Sequence, residues 1–149
     1  MTSDGLRERT RAEWRELGFY YEQSASTWRL VGSSTGLRHL ADLLRECAFD
    51  DRFWDPPTHR HLGPYEYLTV TASETPVIDE RGIAGGAQDL DVLACYVEAA
   101  LEVFGPGESV DLSHEYAGAG NWGMRLDVQE DGFDPATADP LLVHRNGAE

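Results

Sequence analysis

The chain has 149 residues, of which 27 are Asp or Glu and twelve are Arg, and its formal charge is −15. A chain of this length buries enough surface to fold without a disulfide or a metal, so we predict a single domain over residues 1–149. The composition, 41% hydrophobic and 26% charged, excludes wholesale disorder, and no apolar run approaches the roughly 18 residues of a membrane span. Because the N-terminal stretch is charged and carries no apolar signal core, we expect a cytoplasmic protein.

The excess negative charge is concentrated in the second part of the chain. Residues 1–60 contain nine Arg and ten acidic residues, whereas residues 61–149 contain three Arg and seventeen acidic residues. An electrostatic field of this sign repels phosphate backbones and anionic lipid head groups. The charge therefore argues against nucleic-acid and membrane partners and favours a basic protein as the partner. Solubility is the simpler explanation of the same acidity.

The first part of the chain predicts a short helix, two strands and a strong helix. In chain order they span residues 3–17, Phe19 to Gln23, Thr27 to Val31 and about Gly36 to Ala48. In the last of these, apolar residues recur at three- and four-residue spacing, which is typical of a helix with one buried face. Thr35 is the expected N-cap of this helix. Residues 49–64 contain three prolines and are predicted to be irregular.

The second part of the chain predicts four strands and a second strong helix. The strands are Tyr65 to Ala72, Val77 to Ala84, Ser109 to Tyr116 and Gly123 to Gln129, and the helix runs from about Ala87 to Phe104. The last two strands alternate apolar and polar residues, as half-buried strands do. Residues 118–121 between them are predicted to form a hairpin turn, and residues 130–149 a turn-rich tail.

The two parts of the chain share a pattern at a shift of 53 positions. Under this shift Gly32 falls on Gly85 and Leu37 falls on Leu90, within a strand, a glycine turn and an amphipathic helix. Duplication of a unit covering about residues 18–72 and 73–129 is one explanation. The other is that all strand–turn–helix units share this spacing.

These elements predict an α+β fold in two layers. We expect an antiparallel or mixed sheet of about six strands with the two main helices on one face, in the order β-β-α, β-β-α, β-β after the short N-terminal helix. The uncovered face of the sheet would carry acidic and aromatic side chains that suit contact with a protein partner. The candidate partner-binding residues on this face are Tyr65, Tyr67, Asp111, Glu115, Arg125 and Asp127.

A histidine pair gives an alternative, enzymatic interpretation. His59-x-His61 followed by Glu66 is similar to the histidine pair and glutamate of a cupin metal site, and His114 could add a ligand. The pair lies in the proline-rich segment, however, where residues i and i+2 are not expected to face together. No hydrolase, zinc-protease or nucleotide-binding motif is present in the sequence. The preferred prediction is therefore a protein without a metal or another cofactor.

The segment from Arg29 to Leu44, the stretch His59 to Leu62 and the strand Tyr65 to Val70 resemble a family of bacterial polymorphic-toxin immunity proteins, the one numbered thirty-two. The resemblance covers less than half of the chain. It implies a small α+β protein that binds and blocks a toxin without a chemical step. We therefore expect a non-enzymatic, acidic interaction module, with a metal-dependent or ligand-binding enzyme and a self-associating homodimer as alternatives.

Overall fold

The computed structural model of the chain describes residues 3–117 and 122–142. Its five α-helices in this part of the chain are α1 (Ser3–Leu17), α2 (Ser34–Ala48), α3 (Asp51–Trp54), α4 (Ala87–Val103) and α5 (Ser113–Ala117). Its eight strands there are β1 (Tyr20–Ser24), β2 (Thr27–Ser33), β3 (His59–Leu62), β4 (Leu68–Ala72), β5 (Val77–Asp79), β6 (Gly82–Gly85), β7 (Ser109–Asp111) and β8 (Gly123–Gln129). A 3₁₀ helix, Pro135–Ala138, follows.

The strands form two four-stranded mixed sheets, with the orders β1-β2-β8-β7 and β3-β4-β6-β5. In each sheet the two central strands are parallel and both outer pairs are antiparallel. The predicted α+β layered architecture is confirmed. Two four-stranded sheets stand in place of the predicted single sheet of about six strands. The number of strands is eight because the segment predicted as one strand from Val77 to Ala84 folds into the β5–β6 hairpin and His59–Leu62 adds β3.

Each sheet takes one hairpin from residues 18–72 and one from residues 73–129. The β1–β2 hairpin pairs with β7–β8, and the β5–β6 hairpin pairs with β3–β4. Strand β2 leads into α2, and β6 leads into α4, so the order β-β-α-β-β occurs twice. The topology is therefore repeated, while the duplication of an ancestral unit stays a prediction.

Gly32 and Gly85 occupy equivalent places in the two repeats, near the end of the strand that leads into the main helix. A Cβ atom on Gly32 would lie 3.0 Å from the Cβ of Phe19, and one on Gly85 would lie 2.1 Å from the hydroxyl of Tyr116. Both positions need glycine because another residue approaches the backbone closely. The aligned glycines of the sequence thus mark two close contacts of the fold.

The two main helices, α2 and α4, pack against each other over a continuous apolar core. The side chain of Ser33 caps α2 by accepting a hydrogen bond from the backbone N–H of Gly36 at 3.1 Å, so the predicted Thr35 cap is wrong by two positions. At the surface of this helix pair, the Arg45 guanidinium on α2 donates to the carboxylates of Asp91 and Glu98 on α4. These bonds tie the helices together in addition to their apolar contact.

Two further local predictions need correction. The strand predicted to run to Tyr116 ends at Asp111, whose carboxylate accepts hydrogen bonds from the backbone N–H and hydroxyl of Ser113 and so starts α5. His59 and His61 lie in strand β3 and not in an irregular loop. The predicted hairpin turn at 118–121 and the tail beyond residue 142 lie outside the described residues. In the described part of the chain, no helix combines the length and apolar character needed to cross a bilayer.

Candidate functional site

A cavity of about 410 Å³ opens where β1 and β2 meet the β3–β4 connection, the β5–β6 turn and the segment after the 3₁₀ helix. Six of its lining side chains are aromatic: Trp14, Tyr20, Tyr21, Trp28, Tyr65 and Tyr67. The remaining lining residues are Glu22, Gln23, Glu80, Asp139, Pro140 and Leu141. We refer to this feature as the aromatic cavity.

The rings of the aromatic cavity support one another. The ring of Trp14, which is fully buried on α1, lies 5.0 Å from the ring of Tyr20, 5.2 Å from that of Tyr21 and 5.9 Å from that of Tyr65. These tilted and edge-to-face arrangements are favourable for aromatic pairs. The indole N–H of Trp28 donates to the backbone oxygen of Asp79 at 2.7 Å. The aromatic walls are therefore fixed by packing and by hydrogen bonds at their polar tips.

Asp139 is the buried carboxylate of the cavity, with 1% of its surface exposed. Its Oδ2 accepts hydrogen bonds from the indole N–H of Trp14 at 2.9 Å and the hydroxyl of Tyr65 at 2.5 Å, and its Oδ1 accepts from the backbone N–H of Leu141 at 2.9 Å. Among the described residues, no arginine or histidine nitrogen forms an ion pair with it. All three of these donors are neutral groups, so this carboxylate is suited to a cation supplied from outside.

The electrostatic character of the cavity is negative. Its lining includes three carboxylates, those of Glu22, Glu80 and Asp139, and no arginine or histidine. Arg29, outside the lining, pairs with Glu22 at 3.3 Å. Burial, with smaller contributions from Glu22 and Asp139, raises the pKa of Tyr20 to about 12. Burial and the hydrogen bond to Asp139 raise the pKa of Tyr65 above its ordinary value. Both phenols therefore stay neutral at physiological pH, and the carboxylates determine the charge.

Two large apolar side chains stand exposed at the cavity. Tyr67 has 67% of its surface exposed and Leu141 has 60%. Exposed aromatic and aliphatic groups beside a concave site are typical of the anchors that contribute most to protein–protein binding. The mouth of the cavity thus carries apolar contact groups around a negative interior.

The predicted partner-binding residues fall into two groups. Tyr65 and Tyr67 lie at the aromatic cavity, on the connection before β4, and the intervening Glu66 has a φ of 61°. The other four belong to the β7–β8 side of the first sheet and to α5; they are Asp111, Glu115, Arg125 and Asp127. Glu115 and Arg125 are exposed there.

Asp127 is a structural residue of that second group. Its buried carboxylate accepts hydrogen bonds from the guanidinium groups of Arg29 and Arg125 and from the hydroxyl of Ser109. Burial alone would raise the pKa of Asp127, but these hydrogen bonds outweigh it, so the pKa lies below its ordinary value. Because Arg29 also pairs with Glu22, it connects this network to the edge of the cavity.

The alternative metal site is not assembled in this structure. The rings of His59 and His61 lie 4.9 Å apart in β3, and Nδ1 of His61 lies 3.2 Å from the backbone oxygen of Glu66 and from the hydroxyl of Thr69. His114 lies on α5. Within residues 3–117 and 122–142, no three His, Cys, Asp or Glu side chains are placed to hold a metal ion.

Sequence reasoning missed most of the cavity. The sequence pattern does not single out Trp14, Tyr20, Tyr21, Trp28 or Asp139 as site residues. The available signal was aromatic density, since five of the fifteen residues from 14 to 28 are Trp, Tyr or Phe. Asp139 carries no comparable signal, because its two side-chain partners, Trp14 and Tyr65, are distant in the chain.

Three comparisons with known proteins found no match: none among family models, none among curated proteins and none among solved structures. The geometry and charge of the aromatic cavity are therefore the features that bear on function.

Proposed function

We propose that this chain is a non-enzymatic interaction module that binds a basic protein. The observation that carries the proposal is the aromatic cavity, whose lining holds three carboxylates and no arginine or histidine and whose mouth exposes Tyr67 and Leu141. Buried aromatic anchors and charge complementarity are the features that provide affinity and specificity at protein interfaces. The formal charge of −15 supports the same class of partner, because it attracts a basic protein from a distance.

The particular form that we propose is an immunity protein that blocks a basic toxin. Its support is the resemblance of the segments Arg29 to Leu44, His59 to Leu62 and Tyr65 to Val70 to an immunity-protein family. In this mechanism the chain covers the basic site of the toxin, with the aromatic cavity at the centre and the exposed Glu115 and Arg125 extending the contact. Two cysteines that do not form a disulfide, Cys47 and Cys95, support a reducing compartment such as the cytoplasm.

The test is to recover the partner on the tagged chain from the native host, identify it and purify it again. Binding is then measured by calorimetry with the double variant Tyr67→Ala, Leu141→Ala. We expect at least tenfold weaker binding, because both exposed anchors are lost. Val103→Ala is the matched control, because Val103 is an equally exposed apolar residue (74%) on α4, outside the cavity.

The partner itself provides a second measurement. We expect its charge to be positive and its association rate to fall steeply as salt is added, since salt screens long-range attraction. A partner of net negative charge, or equal binding by the double variant and the wild-type chain, would contradict the proposal. Recovery of only a second copy of the chain, seen as a dimer by light scattering, would favour self-association instead.

A further inference from the structure

We infer that the aromatic cavity is a binding site for one arginine side chain of the partner. The inference rests on the proposed function, because it names the group of the basic protein that enters the cavity. The cavity volume of about 410 Å³ lies within the usual range of sites for small ligands, roughly 300–1,000 Å³. The chemistry of the lining then decides which ligand fits.

The walls of the cavity suit a flat, delocalised cation. The ring faces of tyrosine and tryptophan attract cations, and a guanidinium group can also stack on them because it is planar. Trp14 and Trp28 are 0% and 1% exposed, so the ring surface open to a ligand belongs to the half-buried Tyr65 and the exposed Tyr67. The ring of Tyr65 contacts the rings of both Trp14 and Tyr67, so the buried indoles hold this wall in place. A guanidinium is also more weakly hydrated than an ammonium, so an arginine loses less on leaving water than a lysine does.

The acceptors of the cavity match a group with many donors. A carboxylate offers about four lone-pair positions, and Asp139 uses three for the N–H and O–H groups described above. Glu80, exposed on the β5–β6 turn, has no ion pair within the described residues, and Glu22 is shared with Arg29. A guanidinium has five N–H donors in a fixed arrangement and can contact more than one of these carboxylates.

The buried position of Asp139 among neutral donors also favours a cationic ligand. Its carboxylate is 1% exposed and lines the cavity, yet no cation among the described residues pairs with it. An arginine that enters the cavity would supply the cationic donor that no described residue provides. Asp139 is therefore the expected anionic partner of the bound side chain.

The test uses a blocked tripeptide, acetyl-Gly-Arg-Gly-amide, with the analogues that carry lysine or citrulline at the centre. Citrulline keeps the planar shape of arginine but has no charge. The readout is the NMR signal of each indole N–H in the full chain. Trp14 and Trp28 line the cavity, whereas Trp54 and Trp122 do not and serve as internal controls.

We expect the arginine peptide to move the signals of Trp14 and Trp28 saturably and to leave those of Trp54 and Trp122 in place. The lysine peptide should bind at least fivefold more weakly, and the citrulline peptide should not saturate. Equal binding of citrulline would show that charge is not recognised and would overturn the inference. Equal binding of lysine would overturn the assignment to a guanidinium, as would equal movement of all four indole signals.

Matched variants locate the charge that is recognised. Glu80→Gln should weaken arginine binding at least threefold, whereas Glu102→Gln, at an exposed position of α4 outside the cavity, should leave it unchanged. Asp139→Asn should abolish binding, and unchanged Trp54 and Trp122 signals would show that the variant is folded. Unaltered binding by both Glu80→Gln and Asp139→Asn would overturn the inference.

The outcomes separate this inference from the proposed function. If the tripeptide occupies the cavity but no basic protein binds the chain, the proposed function fails and the arginine site stands. The opposite outcome has three parts: a basic protein binds, the tripeptide does not bind, and Asp139→Asn leaves the complex with the basic protein intact. In that case the arginine site fails and the proposed function stands.

Discussion

At the scale of single residues, Asp127 shows how a candidate contact residue can instead hold the fold together. The sequence places it on the polar face of an alternating strand, which suggests that it is available to a partner. In the structure its carboxylate is buried among Arg29, Arg125 and Ser109. A carboxylate engaged in this way contributes to stability, and its contribution depends on pH.

We predict that Asp127→Asn lowers the free energy of unfolding by about 1.5–3 kcal/mol at pH 7, the usual value for hydrogen bonds to a charged group. Because the pKa of Asp127 is lowered in the folded state, its contribution is complete above the ordinary carboxylate value near 4 and is lost as the pH falls through the folded pKa. Urea unfolding at several pH values should therefore show the two curves converging in acid. Asp131→Asn, at an exposed position after β8, is the control and should change little.

A second prediction concerns Tyr20, whose pKa is raised to about 12. Between the ordinary phenol value near 10 and about 12, the unfolded chain releases this proton and the folded chain keeps it. The free energy of unfolding should therefore fall as the pH rises through this window. Tyr20→Phe should make that decline shallower in urea unfolding, and an identical decline in the variant would contradict the assignment.

The candidate site was only partly accessible to prediction at this scale. Tyr65 and Tyr67 could be singled out because they are aromatic residues next to a predicted loop. Asp139 could not, because its role comes from contacts with Trp14, 125 positions earlier, and Tyr65, 74 positions earlier. Nothing in its local sequence distinguishes it from the other acidic residues of the tail.

At the scale of elements, prediction succeeded where the pattern is local. The apolar spacing of α2 and the polar–apolar alternation of β8 are properties of residues close together in the chain. The structure has β8 at its predicted bounds, and the N-terminal helix α1 also begins and ends where it was predicted to. Prediction failed where a turn interrupts a β-like stretch. The segment from Val77 to Ala84 contains a tight reversal at residues 80–81, and Gly82, the first residue of β6, has a φ of 131° that favours glycine. Asp111 ends β7 by capping the next turn.

The close contact between β6 and α5 gives an element-scale prediction. Gly85→Ala should lower the free energy of unfolding by about 1–3 kcal/mol, because the new methyl group overlaps the hydroxyl of Tyr116. Tyr116→Phe alone loses a hydrogen bond to the backbone oxygen of Ala84. In the Gly85→Ala background, Tyr116→Phe should lower the free energy of unfolding by less than it does alone, or should raise it, because it removes the hydroxyl oxygen that overlaps the new methyl group.

This coupling is measured as a double-mutant cycle by urea unfolding. Gly105→Ala is the control, since the nearest neighbour of its added Cβ lies at 3.8 Å, an ordinary contact distance. Simple additivity of Gly85→Ala and Tyr116→Phe would contradict the assigned contact.

At the scale of the whole molecule, the two halves of the chain, residues 1–74 and residues 75–149, each supply strands that the other half needs for its sheet pairing. The β1–β2 hairpin needs β8 as its neighbour, and the β5–β6 hairpin needs β4. The helix pair α2–α4 also joins the two halves. Either half on its own would therefore contain only two-stranded hairpins, each with a central strand unpaired on one edge, and a main helix without its partner helix. Isolated two-stranded hairpins are marginally stable at best.

We predict that a protease site inserted between the exposed residues Glu74 and Thr75 can be cut without separating the halves. The cut chain should elute as one species by size-exclusion chromatography and keep its near-UV circular dichroism, because both sheets and the helix pair cross the cut. Expressed singly, residues 1–74 and 75–149 should each lack cooperative unfolding. Independent, cooperative folding of either fragment would contradict the prediction.

The pairing of the hairpins, β1–β2 with β7–β8 and β3–β4 with β5–β6, also determines the order in which the two sheets can form during synthesis on the ribosome. The strands of the second sheet all lie between residues 59 and 85, so they can come together as soon as that stretch has left the exit tunnel. The first sheet must wait much longer, because Thr27 of β2 is aligned with Gly123 of β8. The nascent chain can therefore complete the second sheet before the first. Strand β2 keeps one edge without a hydrogen-bonded neighbour until β8 has been synthesised.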